Sequence, residues 1–196
     1  MKKTILIVLV LILATLCLTS CQDGEYAELN QISKNSYNQV QIDVTVKKSG
    51  ENSALVSSIK VLNADATKQI EYSLQEYAEF DINGDTISAP ESQIVTKTGT
   101  VVVENGQITS QTGDKTNLDF AKVGNINFNF SSSCLFGAQN TNGIFSAHVT
   151  NLTKFCGQNI SGASNVKVVV DTQSYKSITL SYTVDGSEVT ILYTLG

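Results

Sequence analysis

Alternation of apolar and polar residues is the dominant pattern in this chain. A period of two predicts β-strands with one buried face and one wet face. The pattern predicts strands near residues 40–46, 55–61, 68–80, 101–103, 126–130, 166–170, 178–184 and 189–195. The last three of these segments follow one another closely and form the clearest stretch of the chain, a terminal meander.

Short turn signals separate several of these strands. Asn83-Gly84, Asn105-Gly106 and Asp185-Gly186 are dipeptides that accept positive φ in tight hairpins. Consecutive strands joined by such turns form antiparallel sheets, and segments such as Val101–Val103 and Val168–Val170 are apolar on both faces. The sequence therefore predicts a mainly β domain over residues 39–196. An antiparallel meander forming one curved sheet, or half-barrel, with a few short helices is expected, and a two-layer β-sandwich is the alternative.

Three short helical segments are also predicted. Residues 21–38 read as a polar tether followed by a short helix. Thr116 begins a capping-box pattern with a carboxylate three residues later. Thr150 is placed to cap a helical turn that runs to Cys156 and ends at Gly157.

The first 21 residues carry a targeting pattern. Lys2 and Lys3 precede an apolar run that is too short to span a bilayer as a permanent helix, and small residues follow it. The tetrad Leu18-Thr19-Ser20-Cys21 resembles the lipobox of bacterial lipoproteins, which are cleaved by a signal peptidase of type II. The resemblance implies that residues 1–20 are a lipoprotein signal peptide and that Cys21 is the lipid-attachment site. The protein would then be extracytoplasmic and anchored to a bacterial membrane, and two acyl chains hold a protein stably.

The charge of the chain excludes some partners. From Cys21 onward it has eleven Lys, no Arg and eighteen acidic residues, a formal charge of −7. Nucleic acids are bound by clustered Lys and Arg, so we expect no nucleic-acid partner. Because basic residues do not follow the anchor, membrane contact is expected through acylated Cys21 alone.

Two cysteines remain after Cys21, namely Cys134 and Cys156. An isolated pair in an exported protein suggests a disulfide, which would stabilise the fold by roughly 3 kcal/mol. Two free thiols are the alternative. No His or Cys cluster accompanies the pair, so we expect neither a metal nor another cofactor.

Candidate catalytic residues have plainer interpretations. His148 is the only histidine, and its surroundings alternate as in a strand without a nucleophile motif. Asp81 to Asp85 superficially resembles a calcium loop, but its Gly84 is fourth rather than sixth, so a hairpin is favoured. Glu76 and Glu79 are interpreted as charges on a solvated strand. The sequence predicts a non-enzymatic protein.

The aromatic residues leave two functions open. They suit an ordinary core, or they could line a pocket for a lipid or another apolar ligand; these residues are Phe128, Phe130, Phe136, Phe145, Phe155, Tyr182 and Tyr193. The terminal hairpin, Ile178–Tyr182 followed by Val189–Tyr193, resembles small exported lipoproteins of the LolA carrier and LppX half-barrel type. That resemblance implies a curved sheet around helices or a hydrophobic ligand. The alternative function is a cell-envelope structural or protein-interaction module without a small-molecule site.

Overall fold

Antiparallel β-structure accounts for most of the chain. The computed structural model describes residues 28–35, 37–50, 52–62, 67–77, 81–82, 85–86, 94–116, 118–120, 123, 127–157 and 160–196. The first seven strands are β1 (Gln39–Lys47), β2 (Ala54–Leu62), β3 (Thr67–Tyr77), β4 (Asp81–Ile82), β5 (Asp85–Thr86), β6 (Ile94–Glu104) and β7 (Gln107–Gly113). The remaining elements are β8 (Leu135–Thr141), β9 (Ile144–Val149), helix α1 (Leu152–Cys156), β10 (Ser164–Asp171), β11 (Ser177–Val184) and β12 (Ser187–Leu195).

Ten of these strands form one antiparallel sheet. Its order is β7-β6-β3-β2-β1-β12-β11-β10-β9-β8, so β7 and β8 are the opposite edges of an open sheet among the described residues. Strands β4 and β5 pair with each other in a separate two-stranded sheet. Register shifts interrupt the β1–β2, β6–β7, β8–β9 and β10–β11 ladders, and such bulges bend and twist a sheet. The prediction of one curved antiparallel sheet is confirmed, and the described residues do not form the alternative sandwich.

One face of the sheet is apolar and carries the core. In β11 and β12 the alternate residues are buried, as the period of two predicted. Cross-strand register continues this face through neighbouring strands, for example from Val40 to Val61 and on to Ile70. The opposite face is rich in Ser, Thr, Gln and charged side chains. We call these two surfaces the apolar face and the polar face.

The chain between β7 and β8 covers the apolar face. Because these two strands are opposite edges, their connection must cross a sheet about 43 Å wide. We call its described residues 118–120, 123 and 127–130 the covering segment. Phe120 contacts Tyr72 of β3 at a ring distance of 5.3 Å, whereas Phe128 contacts Tyr193 of β12 at 5.1 Å. The segment is therefore packed along the sheet from one half to the other.

Two further elements lie over the same face. Residues 28–35 form a helical turn, the N-terminal turn, which buries Leu29 and Ile32. Helix α1 buries Phe155 completely. The side chain of Asn151, not of Thr150, caps this helix by accepting from the Lys154 amide, and Gly157 ends it in the left-handed conformation with φ 74°. The predicted helix is thus correct in place, but its cap is one residue later.

Residues 127–130 are not a strand, contrary to the alternation of Phe and Asn. Phe128 and Phe130 are buried and Asn129 is exposed, so the side chains do alternate. The backbone, however, is hydrogen-bonded to side chains and to α1 instead of to a neighbouring strand. At Thr116 the hydroxyl accepts from the Leu118 amide, but the described residues there form no helix.

The tight turns follow the predicted dipeptides. Asn105 and Gly106 have φ of 50° and 74°, and Asp185 and Gly186 have 48° and 74°, which is the geometry of a type I′ hairpin turn. Residues 83 and 84 lie outside the described residues, but the flanking strands β4 and β5 pair as a hairpin requires.

Candidate functional site

A groove of about 460 Å³ lies on the polar face of β1, β2, β3 and β6. Its lining is mostly hydroxyl, amide and charged side chains, and the lining residues are Gln41, Ser58, Lys60, Glu71, Tyr72, Ser73, Thr98, Gly99 and Thr100. Strand register forms this group, because residues far apart in sequence become cross-strand neighbours. Ser58 pairs with Ser73, and Ser73 pairs with Thr98. The groove therefore has short hydroxyl side chains along one row of the sheet.

A second row supplies the charges of the groove. Lys60 on β2 is the direct cross-strand partner of Glu71 on β3, and Glu71 is the partner of Thr100 on β6. An ammonium and a carboxylate thus lie side by side next to hydroxyl groups. Such a surface can donate and accept hydrogen bonds and has almost no net charge, so it suits a polar partner that is not strongly charged.

One wall of the groove is held by a hydrogen-bond network. The amide of Gln41 donates to Asp43 Oδ1 at 2.9 Å and lies 2.8 Å from Ser58 Oγ. The Ser58 hydroxyl donates to the same Asp43 oxygen at 2.8 Å. Side chains connected in this way have few rotamers to lose when a partner binds, which is a form of preorganisation.

Packing beneath the groove fixes β6 and β7. Gly99 has no side chain, so the ring of its cross-strand partner Tyr72 lies across it on the apolar face. The Tyr72 hydroxyl donates to the Asp114 carbonyl, and the Thr98 amide donates to Asp114 Oδ2 at 2.9 Å. A β-carbon at position 99 would clash with the Thr112 carbonyl oxygen. Only glycine therefore fits where β6 and β7 approach each other so closely.

The aromatic residues that could have lined an apolar pocket mostly contact one another. Phe130 and Phe155 are fully buried with ring centroids 5.4 Å apart, and Phe130 meets Phe145 at 6.1 Å. Phe128 meets Phe155 at 5.3 Å. Phe136 differs from them, since it is 71 % exposed on the edge strand β8. These contacts describe a packed core.

The backbone of the covering segment is satisfied on all sides where it crosses this core. Ser33 Oγ hydrogen-bonds both the amide and the carbonyl of Phe128 at 2.7 and 2.8 Å. The Asn30 side chain does the same for Phe130, accepting from its amide at 3.0 Å and donating to its carbonyl at 3.1 Å. A buried loop needs such partners, because unpaired backbone groups are costly away from water.

Asn129, between Phe128 and Phe130, has its backbone partners in Phe155 and Cys134. The Asn129 amide donates to the Phe155 carbonyl at 2.7 Å, and the Cys134 thiol lies 2.9 Å from the Asn129 carbonyl. Cys134 and Cys156 are not joined by a disulfide in the structure.

Of the other candidate residues, His148 is the one whose side chain the structure describes. His148 is exposed on the polar face of β9, beside Phe136 and Lys167 in the register, as the strand interpretation predicted. The side chains of Glu76, Glu79 and the 81–85 loop, like Cys21 and residues 1–20, lie outside the described residues. Within the described part of the chain, no three His, Cys, Asp or Glu side chains are arranged to hold a metal ion.

Shifted pKa values occur at turns and in the core. Hydrogen bonds from Ser174 and the Gln173 amide lower the pKa of Asp171. Burial raises the pKa of Tyr182, and the neighbouring Cys156 adds to the effect. Neither residue lines the groove. These shifts are explained by local turn geometry and packing, and they do not indicate an acid–base pair.

Comparison with known proteins does not assign the chain to a family. No protein-family model matches its sequence, and no curated protein matches it significantly. In the described residues, no helix is both long and apolar enough to cross a membrane.

Proposed function

We propose that this protein is a membrane-anchored, extracytoplasmic bacterial lipoprotein that works by binding, without catalysis, through the polar face of its sheet. The observation that carries the proposal is the difference between the two faces. The apolar face is covered by the protein's own covering segment, N-terminal turn and α1. The polar face carries the groove, with Lys60 and Glu71 side by side above a row of hydroxyl groups.

The anchor is supported by the lipobox pattern at Leu18–Cys21. The polar face is the surface that the described elements leave uncovered, and a lipid anchor would hold it within reach of protein partners in the cell envelope. Of the two functions considered from the sequence, the protein-interaction module is therefore favoured.

The apolar-ligand alternative meets an energetic obstacle. To open the apolar face, a ligand would have to displace Phe128 and Phe130 from the core and break the backbone hydrogen bonds that Asn30 and Ser33 make to them. Each such unsatisfied group costs about 1–3 kcal/mol. Native mass spectrometry of the purified protein tests this alternative, since a co-purifying lipid would favour it.

Site-specific photo-crosslinking in intact cells tests the binding surface. A photoreactive residue at Thr98, inside the groove, should give one discrete adduct, whereas the same residue at His148, exposed on the same face near the other edge, should not. The double variant Lys60→Ala/Glu71→Ala should weaken the Thr98 adduct. Adducts of equal strength at both positions, or none at either, would contradict the proposed surface.

The anchor is tested separately. Metabolic labelling with a fatty acid should mark the wild-type protein and not the Cys21→Ala variant. An unlabelled wild-type protein would show that the lipobox pattern is incidental.

A further inference from the structure

The strand directions sort the loops of the sheet into two ends. Strands β9 and β11 begin where β10 and β12 end, so one end holds the turns 141–144 and 171–177 together with Gly196. The opposite end holds the turns 47–54 and 184–187. We call the first the tether end and the second the far end.

The described chain begins close to the tether end. Glu28 is the first described residue, and its carboxylate accepts from the Tyr175 hydroxyl at 3.1 Å. Tyr175 lies in the turn between β10 and β11, and its backbone amide donates to Asp171. The N-terminal turn is fixed in this place because Asn30 and Ser33 are bonded to the covering segment.

Only six residues separate Glu28 from Cys21. A chain of seven steps spans at most about 25 Å, and a flexible one averages roughly 15 Å from end to end. The eight residues of β11 alone extend about 27 Å from the tether end to the far end. The far end therefore cannot face the membrane that holds Cys21 while the tether end points away from it.

We propose that the tether end is the membrane-facing surface of the protein and contacts the lipid headgroup region directly. This inference rests on the proposed lipid anchor at Cys21. Two side chains at this end suit an interface between water and lipid. Ile144 is 45 % exposed and is the cross-strand partner of Asp171, at the base of the turn that holds Tyr175. Tyrosine combines an apolar ring with a polar hydroxyl, which is why it is enriched at membrane interfaces.

The charges at this end indicate the kind of lipid. Asp171 and Glu28 are acidic, and Lys176 is the nearby cation in the same turn region. The end is therefore not a basic patch, and contact should not require anionic lipid. With the tether end at the membrane, the far end points away from it, and the groove on the polar face lies along the side of the protein.

Quenching of a fluorophore by lipids tests the orientation. The full lipid-modified protein is reconstituted in phosphatidylcholine vesicles that contain a lipid with a nitroxide headgroup. A single probe is attached in a Cys156→Ser background, either at Lys176→Cys on the tether end or at Ser53→Cys on the far end. Both positions are exposed. Quenching at 176 is expected to exceed that at 53 by about twofold or more, because a tether of six residues keeps Glu28 within about 25 Å of Cys21.

A longer tether is the matched control. Inserting a Gly/Ser linker of about 20 residues after Asp23 extends the average tether to roughly 28 Å and should make quenching at the two positions nearly equal. Equal quenching with the natural tether, or stronger quenching at 53, would overturn the inference. Asymmetry that persists with the long linker would still support a membrane-facing tether end, with the lipid contacts of that end rather than the tether length as its cause.

Failure of the anchor gives a different result. If Cys21 is not lipid-modified, the protein will not float with the vesicles and neither probe will be quenched. Flotation with equal quenching overturns only the orientation.

Discussion

Asn30 should contribute more to stability than its half-buried position suggests. Its side chain makes two hydrogen bonds to Phe130, one to the amide at 3.0 Å and one to the carbonyl at 3.1 Å. Phe130 is fully buried, so truncation in Asn30→Ala leaves a donor and an acceptor without partners. Each unsatisfied buried group costs about 1–3 kcal/mol. Because water can partly reach position 30, we expect a loss of about 2–4 kcal/mol in the free energy of unfolding.

Urea unfolding of the purified protein measures this loss. The midpoint should fall while the slope m stays constant, which indicates a change in stability without a change in the surface exposed. Asn129→Ala is the matched control. Asn129 lies next to Phe130 in the covering segment, its side chain is exposed, and its hydrogen bonds to the core come from its backbone. The control should change stability by less than about 0.5 kcal/mol. Equal effects of the two substitutions would refute the assigned role of Asn30.

Three further predictions concern the core, a turn and the thiols. Phe155→Ala should destabilise the protein by about 3–5 kcal/mol in the same urea assay, because a fully buried ring is removed. In an NMR titration, Asp171 should have a pKa below the ordinary value of an aspartate, and Ser174→Ala should raise it toward that value. Since the folded pKa is lowered, Asp171 stabilises the fold above its unfolded pKa, and this contribution is lost as the pH falls. Without reductant, Cys156 should react with iodoacetamide in the folded protein, and Cys134 only after unfolding.

Each of these predictions has a contrary outcome. Phe136→Ala, at a 71 % exposed position, is the control for the core substitution, and comparable losses at 136 and 155 would contradict the packing described above. An Asp171 pKa unaffected by Ser174→Ala would show that the hydroxyl is not its main hydrogen-bond donor. A protein that resists alkylation at both cysteines after unfolding would contain the disulfide that the sequence suggested.

Much of the sheet could be predicted because its information is local. Alternation in β1, β11 and β12 is visible in the sequence, and Asn105-Gly106 and Asp185-Gly186 specify the positive φ that their hairpins need. The pairing of β1 with β12 is not local, and no motif marks it. The tetrad Leu18–Cys21 is a local pattern as well, which is why Cys21 could be proposed as a lipid-attachment site without any knowledge of the fold.

The groove could not be predicted because its residues become neighbours only through the register in which β2, β3 and β6 pair. Ser58, Ser73 and Thr98 are ordinary wet-face residues in three separate strands, and they become neighbours through the pairing of β2 with β3 and of β3 with β6. No spacing in the sequence distinguishes these residues from the other Ser and Thr residues of the polar face. Pairing partners would have to be known before the charged pair and the hydroxyl row could be seen together.

In the covering segment, the alternation of apolar and polar residues predicts the burial of the side chains correctly but not the pairing of the backbone. Phe128, Asn129 and Phe130 alternate as a strand would, and their side chains are indeed buried, exposed and buried. Alternation reports which side chains face the core, but it does not report what the backbone pairs with. Here Ser33 and Asn30 replace one neighbouring strand, and the carbonyl of Phe155 together with the Cys134 thiol replaces the other. Because β7 and β8 are opposite edges, the chain has to cross from one side of the sheet to the other, and these side-chain and backbone partners satisfy its backbone where it is buried on the apolar face.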